Sequence, residues 1–488
     1  PFAYKMCGQN ELKYVKEMKW NILLSCAVLV AASVFASCYE DEHQPPKVVG
    51  GQPGVDFAID GRKVITDNFL GFGTQYNNNL YTTRTYESDG VTEENVKELE
   101  KKVLELGSQY VRIFFDKKCW SDVSGYNPEY KTSFVRTVEL AQKTGALVNV
   151  TYWHSSLPED MGRFADEIYD LIVNKGLTCV KQITIQNEVN STKITPDDYR
   201  VLYAVFIDRL EELGIRDKLH IVGGDLVQDN QKTWFEYMAA NMSTLLDGYS
   251  SHIYWDYWDK VKPVDRLSGV ADLLSKMEGN GIKPCYITEY GVRGEKSGGA
   301  FNDPGYLRGT NTPIGWTNEC AFRHVTFHIN ALNLGFAGLV KWDCYKAKYD
   351  NGNQYFPVIG SGEDGYPLYP SYWMTWAFIH SCKPGWKVLS TTSLTNSTHK
   401  YCAAMSDGSS NYTIYAQTTA TVQTPFVVSG VPANMKFRVL AWNDDLMGGL
   451  TELESVTSDA NGVVCFNVKP DGFVTLTTMN FTLPEGLE

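Results

Sequence analysis

An apolar β-strand pattern runs directly into a glutamate at two places in this chain, Ile183-Thr184-Ile185-Gln186-Asn187-Glu188 and Cys285-Tyr286-Ile287-Thr288-Glu289-Tyr290-Gly291. Both runs are short and rich in β-branched residues, which is typical of a buried strand. Each predicted strand therefore ends on an ionisable side chain, Glu188 in the first stretch and Glu289 in the second. Because the carboxyl ends of parallel strands meet at one edge of a sheet, a parallel arrangement would bring the two carboxyl groups together.

Six further strand patterns accompany these two and alternate with amphipathic helices from about residue 68 to 380. The eight predicted strands are Phe69–Thr74, Tyr110–Phe115, Ala146–Tyr152, Val180–Gln186, Leu219–Gly224, Gly248–Tyr254, Cys285–Thr288 and Gly338–Trp342. Eight such units predict an α/β fold, the (β/α)8 TIM barrel, whose active site lies at the carboxyl ends of the strands. A doubly wound open sheet is the alternative, but no glycine-rich phosphate-binding fingerprint follows an early strand.

Two of the intervening helices carry clear start and stop signals. The first follows Thr92, has two glutamates in its opening turn and ends at Gly107. The second begins at Thr195 and Pro196, which supply a capping residue and a proline at the first helical position. Apolar residues recur at helical spacing in both segments, so we expect each helix to bury one face.

The periodicity changes at about residue 384, and the remaining chain is predicted to form a separate antiparallel β-sandwich. Its apolar runs are short, β-rich and separated by Gly, Asn, Asp and Pro. Residues 55–383 are then the barrel domain and residues 384–488 the C-terminal β-sandwich. At the start of the barrel domain we predict a hairpin that turns at Asp60-Gly61 and either joins the sandwich or covers the floor of the barrel.

The N-terminal region carries a predicted export signal. Residues 18–37 combine a basic start, an apolar centre and small residues before Cys38, which resembles a bacterial lipoprotein signal peptide. The resemblance implies that Cys38 is lipidated, that residues 1–17 are an upstream extension and that residues 38–54 form a tether. The acidic residues 39–42 resemble the surface-export signal of Bacteroidetes lipoproteins. We therefore expect an outer-membrane lipoprotein, held at the cell surface by its lipid anchor alone.

Composition argues against several classes of partner. The chain has 488 residues and a formal net charge of −13, with no run of Lys or Arg, which argues against a nucleic-acid partner. Its 11 cysteines show neither CxxC spacing nor a cluster with histidine, so we expect no metal, no other cofactor and no disulfide scaffold. The 12 Trp and 29 Tyr residues favour a polysaccharide or oligosaccharide ligand, because aromatic rings stack on sugar rings. We expect a monomer.

The strand ends resemble those of the clan A glycoside hydrolases, and most closely the cellulases and mannanases of glycoside hydrolase family 5. The matching residues follow the order of the predicted strands: Arg112 after the second, His154 after the third, Asn187 and Glu188 after the fourth, His252 and Tyr254 at the sixth, Glu289 after the seventh and Trp342 after the eighth. One departure is Val189, which stands where family 5 usually has proline. The resemblance spans the predicted barrel and implies a retaining glycoside hydrolase.

Several of the matched residues then have a defined chemical role. In a retaining glycosidase one carboxyl group protonates the departing sugar oxygen while a second, about 5–5.5 Å away, attacks the anomeric carbon. Glu188 is the predicted acid/base and Glu289 the predicted nucleophile. Arg112 is expected to keep the nucleophile ionised, Tyr254 to hold its attacking oxygen, and Asn187 to bind the 2-hydroxyl of the sugar.

Aromatic residues near the strand ends are the predicted sugar-binding surfaces. Trp342 is expected to stack on the sugar in the −1 subsite, and Trp153, Trp255 and Trp316 are expected to form outer subsites. An open cleft lined in this way favours endo action, so we predict an endo-β-glucanase acting on β-1,3 or mixed-linkage glucan. The alternatives are a β-mannanase or xylanase of the same clan, a transglycosylase with the same carboxyl pair, and a surface lipoprotein that binds glycan without cleaving it.

Overall fold

The computed structural model describes residues 54–153, 157–227, 230–258, 262–295, 305–347, 356–442 and 449–484. The predicted signal peptide, the lipidation site Cys38 and residues 39–53 of the tether lie outside these ranges, as does His154. Their roles therefore stay predictions. Within the described ranges, no helix is both long enough and apolar enough to cross a membrane.

Eight parallel strands close into a barrel, and one strand, β1 (Phe57–Phe69), precedes them in the chain. The barrel strands are β2 (Phe72–Tyr76), β3 (Tyr110–Asp116), β4 (Leu147–Trp153), β5 (Val180–Ile185), β6 (His220–Leu226), β7 (Gly248–Asp256), β8 (Cys285–Arg293) and β9 (Leu339–Lys341). Each strand pairs with the next in sequence, and β9 pairs with β2. The closed ring confirms the predicted barrel, because an open doubly wound sheet leaves two edge strands unpaired.

Helices alternate with the barrel strands along the chain. Those within the described residues are α1 (Thr83–Asp89), α2 (Glu93–Leu106), α3 (Pro128–Thr144), α4 (Pro158–Tyr169), α5 (Pro196–Glu212), α6 (Gln231–Asn241), α7 (Pro263–Leu274), α8 (Asn318–Asn333) and α9 (Pro370–His380). Both predicted helix starts are confirmed: the side chains of Thr92 and Thr195 each accept a hydrogen bond from a backbone N–H in the first turn. Gly107 ends α2 in the left-handed conformation, as predicted.

A small apolar cluster fills the floor of the barrel. Its members lie near the starts of their strands and include Tyr110, Val222, Tyr286 and Val340. Since side chains alternate between the two faces of a strand, the next inward-facing positions lie closer to the carboxyl ends. The closed floor therefore leaves the site at the carboxyl ends open on one side only.

Within the described residues, a second sheet contains nine strands and lies outside the barrel. Its C-terminal strands are β10 (Trp386–Ser393), β11 (Lys400–Ser406), β12 (Tyr412–Thr418), β13 (Thr424–Ser429), β14 (Lys436–Trp442), β15 (Leu450–Thr457), β16 (Val463–Val468) and β17 (Phe473–Thr477). The sheet order is β15-β14-β17-β12-β11-β10-β1-β13-β16, and every pairing is antiparallel except that of β1 with β13. This confirms the predicted C-terminal β-sandwich-like region.

The N-terminal strand β1 belongs to the second sheet rather than to the barrel. It pairs with β10 along its whole length, from Phe57 opposite Ser393 to Phe69 opposite Trp386. The register shifts at residues 61–63, so the Asp60-Gly61 pair marks a bulge within one continuous strand instead of the turn of a hairpin. Glycine suits both a turn and a bulge, which is why the local sequence did not distinguish them.

Helices α8 and α9 pack the second sheet against the barrel. Phe378 on α9 stacks on Tyr415 and Phe473, with ring centroids 4.4 and 5.2 Å apart. Thr326 on α8 donates a hydrogen bond to the side chain of Gln417. The second sheet therefore supports the helices that cover the last strands of the barrel.

Candidate active site

Glu188 follows β5 at the point where the backbone leaves the sheet. The strand ends at Ile185, and both Gln186 and Glu188 adopt positive φ angles, of 65° and 48°. Residues other than glycine rarely adopt this conformation, and those that do are concentrated at functional sites. Two hydrogen bonds from Ser191 to the backbone oxygen of Glu188 stabilise the turn. The Glu188 side chain is 31% exposed, so a substrate can reach it.

Glu289 lies on β8 and faces the interior of the barrel. Ser251 on β7 pairs with Ile287 on β8, and the next residue of β7, His252, pairs with Glu289. β8 therefore contains one extra residue, Thr288, and a bulge of this kind lets consecutive side chains face the same side of a sheet. Both Thr288 and Glu289 consequently make hydrogen bonds to side chains from other barrel strands.

Arg112 on β3 binds Glu289 directly. Its Nη1 donates to Oε2 of Glu289 over 2.8 Å, its Nη2 donates to Oδ1 of Asn187, and its Nε donates to Oγ1 of Thr151. The guanidinium group is fully buried and lies 4.5 Å from the centroid of the Phe114 ring. A charge-assisted hydrogen bond in this setting holds the carboxylate in one orientation. The structure thus brings three predicted site residues, Arg112, Asn187 and Glu289, into one group.

Tyr254 holds the other oxygen of the Glu289 carboxylate. Its hydroxyl group donates to Oε1 over 2.7 Å. Burial, together with the neighbouring carboxylates, raises the pKa of Tyr254 well above its ordinary value of 10, so the hydroxyl remains a donor. Each carboxylate oxygen of Glu289 therefore has its own donor, and the plane of the group is fixed.

His252 lies between the two glutamates. Its Nδ1 is 3.2 Å from Oε1 of Glu188 and 3.7 Å from Oε2 of Glu289. Burial alone would lower the pKa of the imidazole, but the carboxylates of Glu289 and Asp225 raise it to about 9. The ring is therefore positively charged at neutral pH, and its Nδ1–H is available to donate to Glu188.

The separation of the two glutamates bears on the type of glycosidase chemistry. A carboxyl oxygen of Glu188, a carboxyl oxygen of Glu289 and a ring nitrogen of His252 all lie within 4.8 Å of one another. The carboxyl groups of retaining glycosidases are about 5–5.5 Å apart, whereas inverting enzymes separate them by about 6.5–9.5 Å to admit a water molecule. The observed separation matches the shorter class.

These three side chains are also the right types and distances to be metal ligands. The electrostatics disfavour that use, because Arg112 already occupies Oε2 of Glu289. Tyr254 occupies the other oxygen, Oε1. These contacts therefore favour a pair of hydrogen-bonded carboxyl groups, Glu188 and Glu289, over a metal site.

Asp225 is a fully buried carboxylate in the same group, and the sequence analysis did not identify it. Its Oδ2 accepts a hydrogen bond from Arg112, and its Oδ1 accepts bonds from Thr288 at 2.6 Å and Ser250 at 2.8 Å. Burial alone would raise the pKa of Asp225, but the charges of Arg112 and His252 hold it well below its usual range. Asp225 is therefore a permanent negative charge beside the two glutamates.

A bulge in β6 places Asp225 inside the barrel. Val222 faces the barrel floor, so strict alternation along the strand would point Asp225 outward. The register between β6 and β7 shifts between Gly223 and Leu226, which inserts one extra residue into β6. Gly224 has a φ of 131°, and a Cβ atom there would lie 2.3 Å from a backbone oxygen of β7. The Gly-Gly pair inside an apolar strand is the sequence signal for this bulge.

Three aromatic rings form a wall next to the catalytic group. Phe114 stacks on Trp153 with ring centroids 5.0 Å apart, and Trp342 lies tilted against the Phe114 ring at 6.0 Å. Phe114 is buried, while Trp153 and Trp342 are both partly exposed. Partly exposed tryptophan rings offer flat apolar surface for stacking on a sugar. We refer to Phe114, Trp153 and Trp342 as the aromatic wall.

Trp255 does not belong to the sugar-binding surface. It follows the inward-facing Tyr254 on β7 and so faces out of the barrel, where it stacks on Phe327 at 4.8 Å and is 1% exposed. The prediction of an outer subsite at Trp255 is therefore wrong, because the side chain is part of the core. Trp316 is half-buried and stacks on Tyr369 at 5.3 Å, and its role in an outer subsite stays a prediction.

A second buried acid, Asp343, follows Trp342. Burial and the nearby charge of Glu289 raise the pKa of Asp343 to about 8, against the opposing effect of Lys341. Neither of its carboxyl oxygens has a hydrogen-bond partner within the part of the chain that the structure describes. Lys341 instead donates to the backbone oxygens of Trp342 and Phe356. These two bonds anchor the segment that carries Trp342.

No protein-family model and no curated protein match the sequence. Solved structures with a similar fold include a GH30 endoxylanase from Clostridium papyrosolvens, with a TM-score of 0.59 and 12% identity, covering 87% of this chain and 100% of the other. An α-L-arabinofuranosidase from Thermotoga maritima has a TM-score of 0.62 and 14% identity, with 87% and 100% covered. An endo-β1,6-glucanase has a TM-score of 0.61 and 12% identity, with 88% and 96% covered.

At these identities the similarity concerns the fold. The neighbours confirm a closed barrel with an additional β-sheet region as one architecture, and they extend over almost the whole described chain. The three neighbours are an endoxylanase, an α-L-arabinofuranosidase and an endo-β1,6-glucanase, so one fold is found with three different activities. The closer resemblance to glycoside hydrolase family 5 stays a prediction.

Proposed function

We propose that this protein is a retaining β-glycoside hydrolase. The observation that carries the proposal is the close approach of Glu188 and Glu289: one carboxyl oxygen of each lies within 4.8 Å of the other, beside His252. The two carboxyl groups also differ in the way that the mechanism requires. Glu289 is held by donors on both oxygens, while Glu188 is partly exposed. The glycosidases among the structural neighbours support the same reaction class.

In the first step Glu289 is the nucleophile and Glu188 the general acid. A carboxylate oxygen of Glu289 forms a bond to the anomeric carbon while the bond from that carbon to the leaving oxygen breaks. The proton of Glu188 passes to the leaving oxygen. Arg112 and Tyr254 keep the attacking carboxylate in position, so little reorganisation is needed during the step. The product is a glycosyl ester on Glu289.

In the second step Glu188 acts as the general base. Its carboxylate removes a proton from a water molecule, whose oxygen attacks the anomeric carbon and releases Glu289. The Nδ1–H of His252, 3.2 Å from Glu188, stabilises the negative charge that Glu188 carries between the two steps. Two inversions at the same carbon give a product with the configuration of the substrate.

The proposed substrate is a neutral β-linked polysaccharide, cleaved internally. The aromatic wall places partly exposed tryptophan rings beside the catalytic pair, which suits a chain of several sugars. A net charge of −13 disfavours an acidic polymer. We propose β-1,3 or mixed-linkage glucan first, with β-mannan and xylan as alternatives. The intact pair of carboxyl groups argues against a protein that only binds glycan. A transglycosylase would use the same two residues, so analysis of the products distinguishes it from a hydrolase.

We also propose that the protein is an outer-membrane lipoprotein, exported by residues 18–37 and anchored through Cys38. Mass spectrometry of the protein from a bacterial host tests this directly, because lipidation adds acyl chains to an N-terminal Cys38. The Cys38→Ala variant is expected to leave the membrane fraction. Equal membrane association of both forms would contradict the anchor.

Hydrolysis of a polysaccharide panel by the lipid-free protein tests the enzymatic proposal. The native protein and Glu289→Gln are incubated with β-1,3-glucan, mixed-linkage glucan, β-mannan and xylan, and product lengths are resolved over time. Early release of mixed oligosaccharides by the native protein alone is expected. Proton NMR of the first products should show the β anomer. Initial release of the α anomer would refute retention, and binding without cleavage by both proteins would refute the enzyme.

A further inference from the structure

The buried carboxylate of Asp225 has no part in the two chemical steps, although it lies in the same group of side chains. Arg112, Thr288 and Ser250 donate hydrogen bonds to it. Its Oδ1 also lies 3.6 Å from Nε2 of His252, the ring nitrogen opposite the one that faces the glutamates. Asp225 therefore contacts both positively charged residues of the site.

The charges of the group balance at each stage of the proposed reaction. Arg112 and His252 are positive and Asp225 is negative, so together these three carry one net positive charge. Before the reaction Glu289 is ionised and Glu188 carries the proton, which brings the total to zero. After the first step Glu289 is a neutral ester and Glu188 is ionised, so the total is again zero.

We propose that Asp225 is a positioning residue that keeps the ring of His252 charged and directed at Glu188, so that one negative charge passes from Glu289 to Glu188 without charging the buried group. This inference rests on the proposed glycosidase function. Because Asp225 is fully buried, it acts through His252 and Arg112 and does not touch the substrate. A buried group with an uncompensated charge is costly, which is the physical reason for the balance.

The ionisable groups that surround His252 come from several elements. They are Arg112 on β3, Glu188 after β5, Asp225 on β6, Tyr254 on its own strand, Glu289 on β8 and, beyond Glu289, Asp343 after β9. If the charge of Asp225 is removed, only Glu289 and Glu188 still oppose the effect of burial on the imidazole, and the positive charge of Arg112 loses one of its partners. The ring is then expected to lose its proton at a lower pH, and with it the hydrogen bond that Nδ1–H donates to Glu188.

The test is an NMR titration of the histidine rings in the whole protein, labelled with 15N-histidine, with His252→Gln used to assign the resonance. In the native protein His252 should titrate near pH 9. In Asp225→Asn the midpoint should fall by about 1–3 pH units, the range for the loss of one nearby opposite charge. The kcat on an unactivated glycan should fall about 100-fold, the lower range for loss of acid/base assistance. KM should stay close to the native value, because no substrate contact is removed.

Two further variants separate charge from local structure. Ser250→Ala removes a hydrogen bond to Asp225 and leaves its charge, so His252 should still titrate near pH 9. Asp225→Glu keeps a negative charge on a longer side chain and should retain most of the titration shift. A purely structural role would instead make Ser250→Ala and Asp225→Asn equally harmful and would leave the midpoint of His252 unchanged in both.

An unchanged midpoint or an unchanged kcat in Asp225→Asn would overturn the inference. If that variant does not fold, the native protein still decides: a His252 midpoint at or below 6.5 overturns the inference, and a midpoint near 9 that persists in Asp225→Glu supports it. Failure of the proposed function is recognised separately. A native protein that cleaves no glycan contradicts the glycosidase, whereas an active native protein with an unaffected Asp225→Asn contradicts only the role of Asp225.

Discussion

The charge on His252 should make the stability of the fold depend on pH in a specific window. The neighbouring carboxylates raise the pKa of this buried ring from 6.5 to about 9. One pKa unit corresponds to about 1.4 kcal/mol, so protonation of His252 contributes about 3 kcal/mol to the free energy of unfolding. Because the pKa is raised in the folded state, this contribution is complete below pH 6.5 and is lost as the pH rises through 9.

The assay is urea denaturation of the native protein and of His252→Gln at intervals between pH 6 and pH 10. The free energy of unfolding of the native protein relative to that of the variant should fall by about 3 kcal/mol across this range. Other groups that titrate here, including Asp343 with its pKa of about 8, are present in both proteins and cancel to first order. His399→Gln is the matched control, since His399 is exposed in the loop between β10 and β11 and its ring bonds to Thr419.

A constant difference between the native protein and His252→Gln from pH 6 to pH 10 would refute the reasoning. That result would mean that the pKa of His252 is not raised in the folded protein. The His399→Gln control is expected to follow the native curve at every pH. If it deviated as much as His252→Gln, the effect would come from histidine loss in general and not from the carboxylates around one ring.

Four further predictions follow from the same contacts. Glu188→Ala should lose activity on natural glycans by about 10²–10⁴-fold. It should still form the glycosyl-enzyme from aryl glycosides with good leaving groups, seen as a burst of released phenol. Equal loss on both kinds of substrate would exclude Glu188 as the acid. Tyr254→Phe removes one donor to the nucleophile and should lower kcat by about 10–100-fold with little change in KM, as measured by steady-state kinetics. Arg112→Met leaves buried carboxylates unpaired and should cost about 3–5 kcal/mol in urea denaturation; a cost below about 1 kcal/mol would contradict a buried ion pair. Gly224→Ala places a Cβ atom 2.3 Å from a backbone oxygen and should lower the melting temperature, whereas Gly269→Ala, where nothing lies within 4 Å of the new atom, should not.

The sequence predicts the barrel well because the pattern is local and repeated. All eight strands were found from short apolar runs, and the observed starts and ends differ from the predicted ones by a few residues. The starts of α2 and α5 were predictable from Thr92 and Thr195, since a capping residue acts within one turn of the helix. The two glutamates after predicted strands are equally local signals, although β8 continues past Glu289 to Arg293.

Two of the errors share a cause, which is that hydrophobic periodicity alone does not reveal bulges. The predicted strand Leu219–Gly224 stops before Asp225. The observed strand β6 continues to Leu226 and contains an extra residue, which turns the Asp225 side chain into the barrel. The wrong prediction for Trp255 has a different cause. Alternation holds on β7, where Tyr254 faces the site, so its neighbour Trp255 faces the core. At Asp60-Gly61 a bulge was predicted as a turn.

The position of β1 has a consequence for the way the protein must be synthesised. Asp56, just before β1, accepts a hydrogen bond from the backbone of Val427, 371 positions further along the chain. β1 leaves the ribosome before any barrel strand, yet both of its neighbours, β10 and β13, are made after the barrel is complete. During that interval its two edges are unpaired, and unpaired edges are prone to associate with other chains. Strands β10 and β13, which emerge late, therefore protect β1, which emerges first. A chain that terminates before β13 has a complete barrel but leaves an edge of β1 exposed.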